Sequence, residues 1–191
     1  MAQQLNYYNN PLPAYEGMVA PQEGEVIWSK VAGSGGAGIG MLGSYGTTSF
    51  APPAQLISTG TSGDSGTIIK MPSGTYAGDN PLVSTDFIGI PIYDAAQMAS
   101  DQITTATSGT RTYGLYKQYM AVPVLRKGRI WVFCGDAIAT QGAPVYVYAT
   151  DETNRPAGTF GSGAGTGKVV WSNGTWLMTL GAAGLALMEV W

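Results

Sequence analysis

The sequence contains no histidine and only one cysteine, and these absences argue against histidine- or cysteine-dependent catalysis and against a typical zinc site. Without an imidazole, Cys134 has no base to activate it as a nucleophile, and a zinc site lacks most of its usual ligands. A single cysteine cannot form an intrachain disulfide, so we interpret Cys134 as a buried, inert thiol. We therefore expect no enzymatic activity, no cofactor and no metal.

Charged residues are also scarce, at 11% of the chain against the roughly 25% that is usual for soluble domains. Low charge indicates a surface that is largely covered in an assembly; the alternative is a glycine- and serine-rich secreted or solenoid protein. Residues 1–110 carry a net charge of −6 and residues 111–191 carry +3, which suits head-to-tail packing between copies. Neither half is basic enough for a nucleic-acid surface. We expect no membrane span, because no apolar run approaches about 18 residues, and no signal peptide, because the N-terminal residues have neither a basic region nor an apolar core.

The clearest strand signals are residues 129–133 (RIWVF) and 145–148 (VYVY), which are rich in β-branched and aromatic side chains. A turn is predicted before the first run, at Arg126-Lys127-Gly128. The pair Asn173-Gly174 lies between two further strand-like runs and predicts a type I′ hairpin that joins 168–172 to 175–179. The sequence predicts about ten strands, a single helix candidate at 94–102, and irregular loops that include 33–46, 59–66 and 103–111.

These patterns predict an all-β fold, an antiparallel β-barrel or sandwich with long glycine-rich loops and an extended N-terminal arm. Residues 1–16 form the arm, and 17–191 form a single β-rich domain with loop insertions at about 33–66 and 94–112. The arm is polar and proline-containing and cannot build a core, so we expect it to be held by another chain or by its own domain.

Tyrosines are the candidate partner contacts, because tyrosine buries a large area at a low cost in conformational entropy. Two lie in the arm, Tyr7 and Tyr8, and three precede the main strand region, Tyr113, Tyr116 and Tyr119. No catalytic, cofactor or metal residue is assigned. Residues 38–43 match G-x-G-x-x-G, but the sequence that follows cannot sustain the helix that a dinucleotide site requires.

The segments VPVLRKGRIWV, GDAIATQGAPVYVY, DETNRPAGTF and GLALMEVW resemble the cement (decoration) proteins of tailed-bacteriophage capsids. The resemblance covers roughly residues 110–191, with a weaker match at 87–91. It implies a structural virion protein on the outer surface of the head that clamps adjacent major capsid protein subunits. The implied partners are the major capsid protein and other copies of this chain, in a closed homotrimer or a homodimer.

A second hypothesis is a carbohydrate-binding or hydrolysing β-protein of the phage tail. Four tryptophans could line a sugar-binding face: Trp131, Trp171, Trp176 and Trp191. Copy number in the particle would separate the two hypotheses, since a cement protein is present in many more copies than a tail component.

Overall fold

The computed structural model describes residues 14–20, 24–32, 57–59, 67–70, 87–93, 104–108, 111–115, 121–148, 155 and 158–191. The regular secondary structure of these residues is all β, which confirms the predicted fold class, and none of them is helical. The strands in chain order are β1 (Val19–Ala20), β2 (Val26–Ala32), β3 (Ile57–Thr59), β4 (Thr67–Lys70), β5 (Phe87–Pro91), β6 (Thr104–Ser108), β7 (Arg111–Leu115), β8 (Ala121–Cys134), β9 (Pro144–Tyr148), β10 (Phe160–Gly161), β11 (Lys168–Trp176) and β12 (Gly184–Val190).

The longest strand, β8, belongs to two closed rings of strands. The first ring runs β8–β12–β11–β9–β10 and returns to β8, and the second runs β8–β2–β4–β3–β5 and returns to β8. Residues 128–134 of β8 pair with β12, whereas residues 121–127 pair with β2. The fold is therefore a β-barrel with additional strands, in which one strand is shared by both rings. Most pairings are antiparallel, but β10 pairs with β8 and β2 with β4 in parallel.

A bulge allows β8 to pass from one ring into the other. Val26 pairs with Lys127 and Ile27 with Leu125, so Arg126 is an extra residue on the β8 side. Gly128 follows with a φ of 137°, and a Cβ at this position would lie 3.2 Å from Leu125 Cδ1. The predicted turn at residues 126–128 is wrong: the glycine serves a bulge inside a continuous strand, because both halves of β8 find neighbours to pair with.

The core lies mainly inside the first ring and follows the two-residue period of its strands. Every second residue of β8 from Ile130 to Cys134 is fully buried, and the intervening side chains are partly exposed. Ile90 and Leu125 of the second ring join the same cluster, so the two rings share one hydrophobic core. Its other buried members are Ile138, Val145, Val147, Phe160, Trp171, Trp176, Ala186, Met188 and Val190.

The predicted hairpin at Asn173-Gly174 is wrong, because β11 continues through both residues. The first part of β11, up to Trp171, pairs with β9, and Gly174 pairs with Val190 of β12. An irregularity in register separates the two parts, and among the described glycines Gly174 is not one with positive φ, which a type I′ turn would need. Packing explains the difference: Trp171 and Trp176, on either side of the irregularity, are both buried in the core.

The predicted loop at 103–111 is also wrong, because β6 pairs with β7 in a separate two-stranded antiparallel sheet. The register runs from Thr104 opposite Leu115 to Ser108 opposite Arg111. The insertion predicted at 33–66 contains β3. Several predictions lie outside the described residues: the arm up to residue 13, the loop at 33–46, the G-x-G-x-x-G match at 38–43, residues 60–66 of the loop at 59–66, and the helix at 94–102.

Candidate functional site

Only one of the five tyrosines predicted as partner contacts lies in the described part of the structure. Tyr113 lies in the middle of β7, opposite Ala106 of β6. The other four, Tyr7, Tyr8, Tyr116 and Tyr119, lie outside the described residues. Their role as contacts therefore stays a prediction.

Among the described residues, the most exposed group of consecutive apolar side chains lies on β2, and it was not singled out from the sequence. Val26, Ile27 and Trp28 are 39%, 45% and 44% exposed, and we call these three residues the β2 strip. Side chains of neighbouring residues in a strand point to opposite faces, so the strip presents apolar surface on both faces of β2. Such exposure is unusual, because an antiparallel strand that faces water normally carries polar residues on the wet face.

The residues of β8 that pair with Ile27 and Trp28 are fully buried. Ile27 pairs with Leu125 and Trp28 with Val124, and both β8 partners have no exposed surface. The apolar surface of the strip is therefore not an extension of a solvent-exposed region of β8. Among the described residues, the pairing of β2 with β4 is confined to Val31 and Ala32, so the strip is paired with β8 alone.

Two basic residues of β8 adjoin the strip. The Arg126 guanidinium lies 4.5 Å from the centre of the Trp28 ring, a cation–π contact that holds both side chains in place. Lys127 is exposed and pairs directly with Val26, and Glu25 is exposed at the end of the strand. The surface thus combines aromatic and aliphatic area with two positive charges and one negative charge.

Other exposed apolar side chains are more isolated. Tyr15, just before β1, meets Tyr93 edge to face with ring centres 4.7 Å apart. Val170 on β11 and Trp191 after β12 are 47% and 54% exposed and belong to the first-ring strands or their ends. Single exposed apolar residues are normal on protein surfaces, so these positions carry less information than the β2 strip.

The four tryptophans proposed as a sugar-binding face do not form one. Trp176 is fully buried and Trp171 is 5% exposed, and both belong to the hydrophobic core. The indole N–H of Trp176 donates to the carbonyl of Gly161 at 3.3 Å, which satisfies its only polar atom inside the barrel. Trp131 is partly exposed and Trp191 is exposed, so only two of the four tryptophans present surface to a ligand.

A polar cluster around Asp136 is the main concentration of charge in the described first ring. The Asp136 carboxylate accepts hydrogen bonds from the Tyr148 hydroxyl at 2.7 Å, from the Lys168 ammonium at 2.7 Å and from the Ser162 amide at 3.1 Å. Lys168 Nζ also lies 4.8 Å from the centre of the Tyr148 ring, and the Arg155 guanidinium lies 5.4 Å from it. The cluster ties the segment after β8 to β9, to β11 and to the residues after β10.

The electrostatics of this cluster are those of a structural ion pair. Burial alone would raise the pKa of Asp136, but the Lys168 ammonium, the Tyr148 hydroxyl and the Ser162 amide together lower that pKa below its ordinary value. The carboxylate is therefore ionised and saturated with donors at neutral pH, which does not suit a general acid or base. Space is tight as well, because a Cβ on Gly161 would lie 2.5 Å from the Asp136 carboxylate.

Cys134 is buried in β8, and burial raises the pKa of its thiol to about 11. The thiol is protonated at neutral pH and cannot act as a ready nucleophile. Within the described residues, no group of three or more cysteine, aspartate or glutamate side chains is placed to hold a metal ion. The described residues also include no helix long and apolar enough to cross a membrane.

The sequence did carry a signal for the β2 strip. The run Val-Ile-Trp places three large apolar residues in succession, so that both faces of a short strand are apolar. Such a run predicts a strand covered on both faces. What the sequence could not tell was that the described fold leaves these three side chains nearly half exposed.

Comparison with known proteins places this fold among phage capsid components. A family model described as structural cement protein (E217 gp24/Pam3 gp6) matches residues 2–190. Among solved structures, a chain of the capsid of Myoviridae phage XM1 superposes with a TM-score of 0.57 at 16% identity, over 99% of this chain and 96% of that chain. At that identity the superposition shows a shared fold. A search of curated proteins gave no match.

Proposed function

The chain belongs to the structural cement protein family and has a structural, capsid-stabilising role, and from this premise we propose that it clamps adjacent major capsid protein subunits on the outer surface of the phage head. The observation that carries the proposal is the family match over residues 2–190, which spans both rings of strands. A clamp adds contacts across a junction without any chemical step, so it needs a rigid body and exposed contact surface.

The described residues supply both features. The two rings share β8 and one hydrophobic core, so they form a compact block in which contact surfaces keep their relative positions. The exposed apolar side chains on this block offer area for burial against a shell. Each contact can be modest, because many symmetry-related copies multiply a weak interaction on a closed particle.

The same proposal includes no enzymatic activity. The charged cluster at Asp136 is saturated by its own neighbours, and the only cysteine is a buried, protonated thiol. We also propose that the protein forms a homotrimer, with a homodimer as the alternative. The predicted tyrosines would make contacts within that assembly or with the shell. The support for self-association is the opposite net charge of the two halves of the chain.

The test is decoration of shells assembled from the major capsid protein without this chain. Purified protein is added, sedimented with the shells, and its bound copies are counted and located by electron cryomicroscopy. We expect saturable binding at symmetry-related junctions on the outer surface, and decorated shells that withstand higher temperature or more denaturant than bare shells.

Shells that are already saturated serve as the control and should bind no further protein. A variant with Tyr7→Ala and Tyr8→Ala should bind more weakly while keeping its fold, as judged by an unchanged melting temperature. Absence of binding to bare shells, or binding to their inner surface, would refute the proposed clamp.

A further inference from the structure

We infer that residues 158–162 form a releasable strap, which the Asp136 cluster holds across the first ring and which opens locally while the rest of the barrel stays folded. The strap contains β10 and lies between the end of β8 and β9, so it closes the first ring of strands. The inference concerns a conformational change of the protein on its own. It does not depend on the proposed function.

The backbone pairing that holds the strap is short. Among the described residues, β10 pairs with β8 only where Phe160 lies opposite Cys134, and it pairs with β9 only through its own two residues. The ladder between β12 and β8, by contrast, runs from Gly184 to Val190. If the strap leaves, β8, β12, β11 and β9 therefore remain joined in one sheet. Opening of the strap breaks few hydrogen bonds, whereas global unfolding breaks all of these ladders.

Side chains supply the attachment that this short pairing lacks. The Asp136 carboxylate accepts a hydrogen bond at 3.1 Å from the Ser162 amide, at the end of the strap. It also accepts hydrogen bonds at 2.7 Å from Tyr148 at the end of β9 and from Lys168 at the start of β11. The Ser162 hydroxyl donates in addition to the carbonyl of Ala137. Asp136 thus anchors the strap to both neighbouring strands, and loss of its charge weakens that anchor.

The inner side of the strap covers part of the core. Phe160 is fully buried and packs against Trp171 with ring centres 5.6 Å apart, and the carbonyl of Gly161 accepts the Trp176 indole N–H. These contacts keep the closed ring as the major state. Cys134 is fully buried directly opposite Phe160, so release of the strap uncovers its sulfur. The only cysteine of the chain is therefore a built-in reporter of strap opening.

The experiment measures alkylation of Cys134 by excess iodoacetamide in the purified protein, at urea concentrations below the unfolding transition. In the closed state the thiol is buried and protonated, so it reacts only after opening. We expect labelling that is faster than global unfolding permits and that depends less steeply on urea, because a local opening exposes less surface. Labelling that follows global unfolding in both rate and urea dependence would overturn the inference.

Asp136→Asn weakens the anchor, and we expect it to speed up labelling at low urea by about tenfold or more. The matched control is Glu189→Gln. The pair of Glu189 with Arg129 joins β12 to β8 and stays formed when the strap opens, so labelling should change by less than about twofold. Circular dichroism establishes that both variants are folded. Equal acceleration in the two variants, or none in Asp136→Asn, would contradict the assignment of Asp136 as the anchor.

Hydrogen exchange gives a readout that needs no thiol. The Gly135 amide donates to the Phe160 carbonyl at 2.7 Å and the Tyr148 amide donates to the Thr159 carbonyl at 2.9 Å, so both hydrogen bonds end on the strap. We expect these two amides to exchange faster than the amides of the β12–β8 ladder, and faster still in Asp136→Asn. Protection equal to that of the ladder would show that strap and barrel open as one unit, and the inference would be wrong.

Discussion

Replacing Asp136 with asparagine tests whether the polar cluster of the first ring stabilises the barrel. Asp136→Asn keeps the size of the side chain and one carbonyl acceptor but removes the negative charge. It leaves the Lys168 ammonium, 2.7 Å from the lost carboxylate oxygen, without its counter-charge in a mostly buried position. The side chains of Lys168 and Asp136 are only 14% and 20% exposed.

The expected loss follows from these contacts. A hydrogen bond to a charged group contributes about 1.5–3 kcal/mol, and removal of one partner of a buried ion pair costs about 3–5 kcal/mol. Residual exposure of both side chains lowers the second figure, because water can partly solvate the orphaned ammonium. We therefore expect Asp136→Asn to lower the free energy of unfolding by about 2 kcal/mol. For a chain of 191 residues this corresponds to a fall in melting temperature of about 4–8 °C.

Urea unfolding of the isolated protein at fixed concentration measures the change, and a double-mutant cycle assigns it to the pair. In a Lys168→Met background, Asp136→Asn should cost at least about 1 kcal/mol less than in the wild type, because no cation is left unpaired. The matched control is Glu189→Gln. Glu189 pairs with Arg129 at 3.2 Å, but these side chains are 28% and 43% exposed, so the loss should stay below about 1 kcal/mol.

The pH dependence gives a second measurement of the same effect. The pKa of Asp136 is lowered in the folded state, so its contribution to stability is present above the unfolded pKa of about 4 and is lost as pH falls through the folded pKa. The stability difference between wild type and Asp136→Asn should therefore be constant above about pH 5 and shrink below about pH 4. Equal stabilities at pH 7, or a difference that grows in acid, would refute the reasoning.

Two glycine substitutions test the strand arrangement. Gly174→Val should lower the free energy of unfolding by about 1–3 kcal/mol, because a Cβ there would lie 2.8 Å from the Trp171 ring. Asn173→Ala, the control, should change the free energy of unfolding in urea very little. A large loss for Asn173→Ala would instead favour a turn at this pair. Gly89→Ala should lower the free energy of unfolding by more than Gly142→Ala, since both have positive φ but only Gly89 faces the backbone of Leu125; equal losses measured by urea unfolding would contradict the close packing of β5 on β8.

The sequence predicted the strands of the first ring well, because their signals are local. The runs at 129–133 and 145–148 alternate apolar residues with a period of two, and the structure places them in β8 and β9. The segment GLALMEVW, on which the family resemblance partly rests, contains β12 at Gly184–Val190. In each case the same residues that favour a strand also supply the buried face, so local preference and core packing agree.

Prediction failed where pairing over a long sequence distance decides the local structure. Asn173-Gly174 has the composition of a tight turn, and Gly128 after two basic residues has the composition of a loop. In the fold, β11 pairs with β9 on one side and with β12 on the other, and β8 is paired along its whole length. Those ladders, together with the burial of Trp171 and Trp176, outweigh the turn preference, which is worth only about 1 kcal/mol per residue. The glycines accommodate close packing in one case and a bulge in the other.

The β2 strip shows why a contact surface is harder to predict than a strand. Three apolar residues in succession indicate that both faces of a strand are covered, but they do not indicate which molecule covers them. The decision depends on what lies opposite: Leu125 and Val124 on β8 are fully buried, and the apolar side chains across from them on β2 remain exposed. The five tyrosines were chosen from residue type alone. Residue type does not distinguish a contact residue from a core residue, because a tyrosine suits a core, an edge and an interface equally well. A surface becomes a candidate contact only when the fold is known and the sequence is more apolar there than the fold requires.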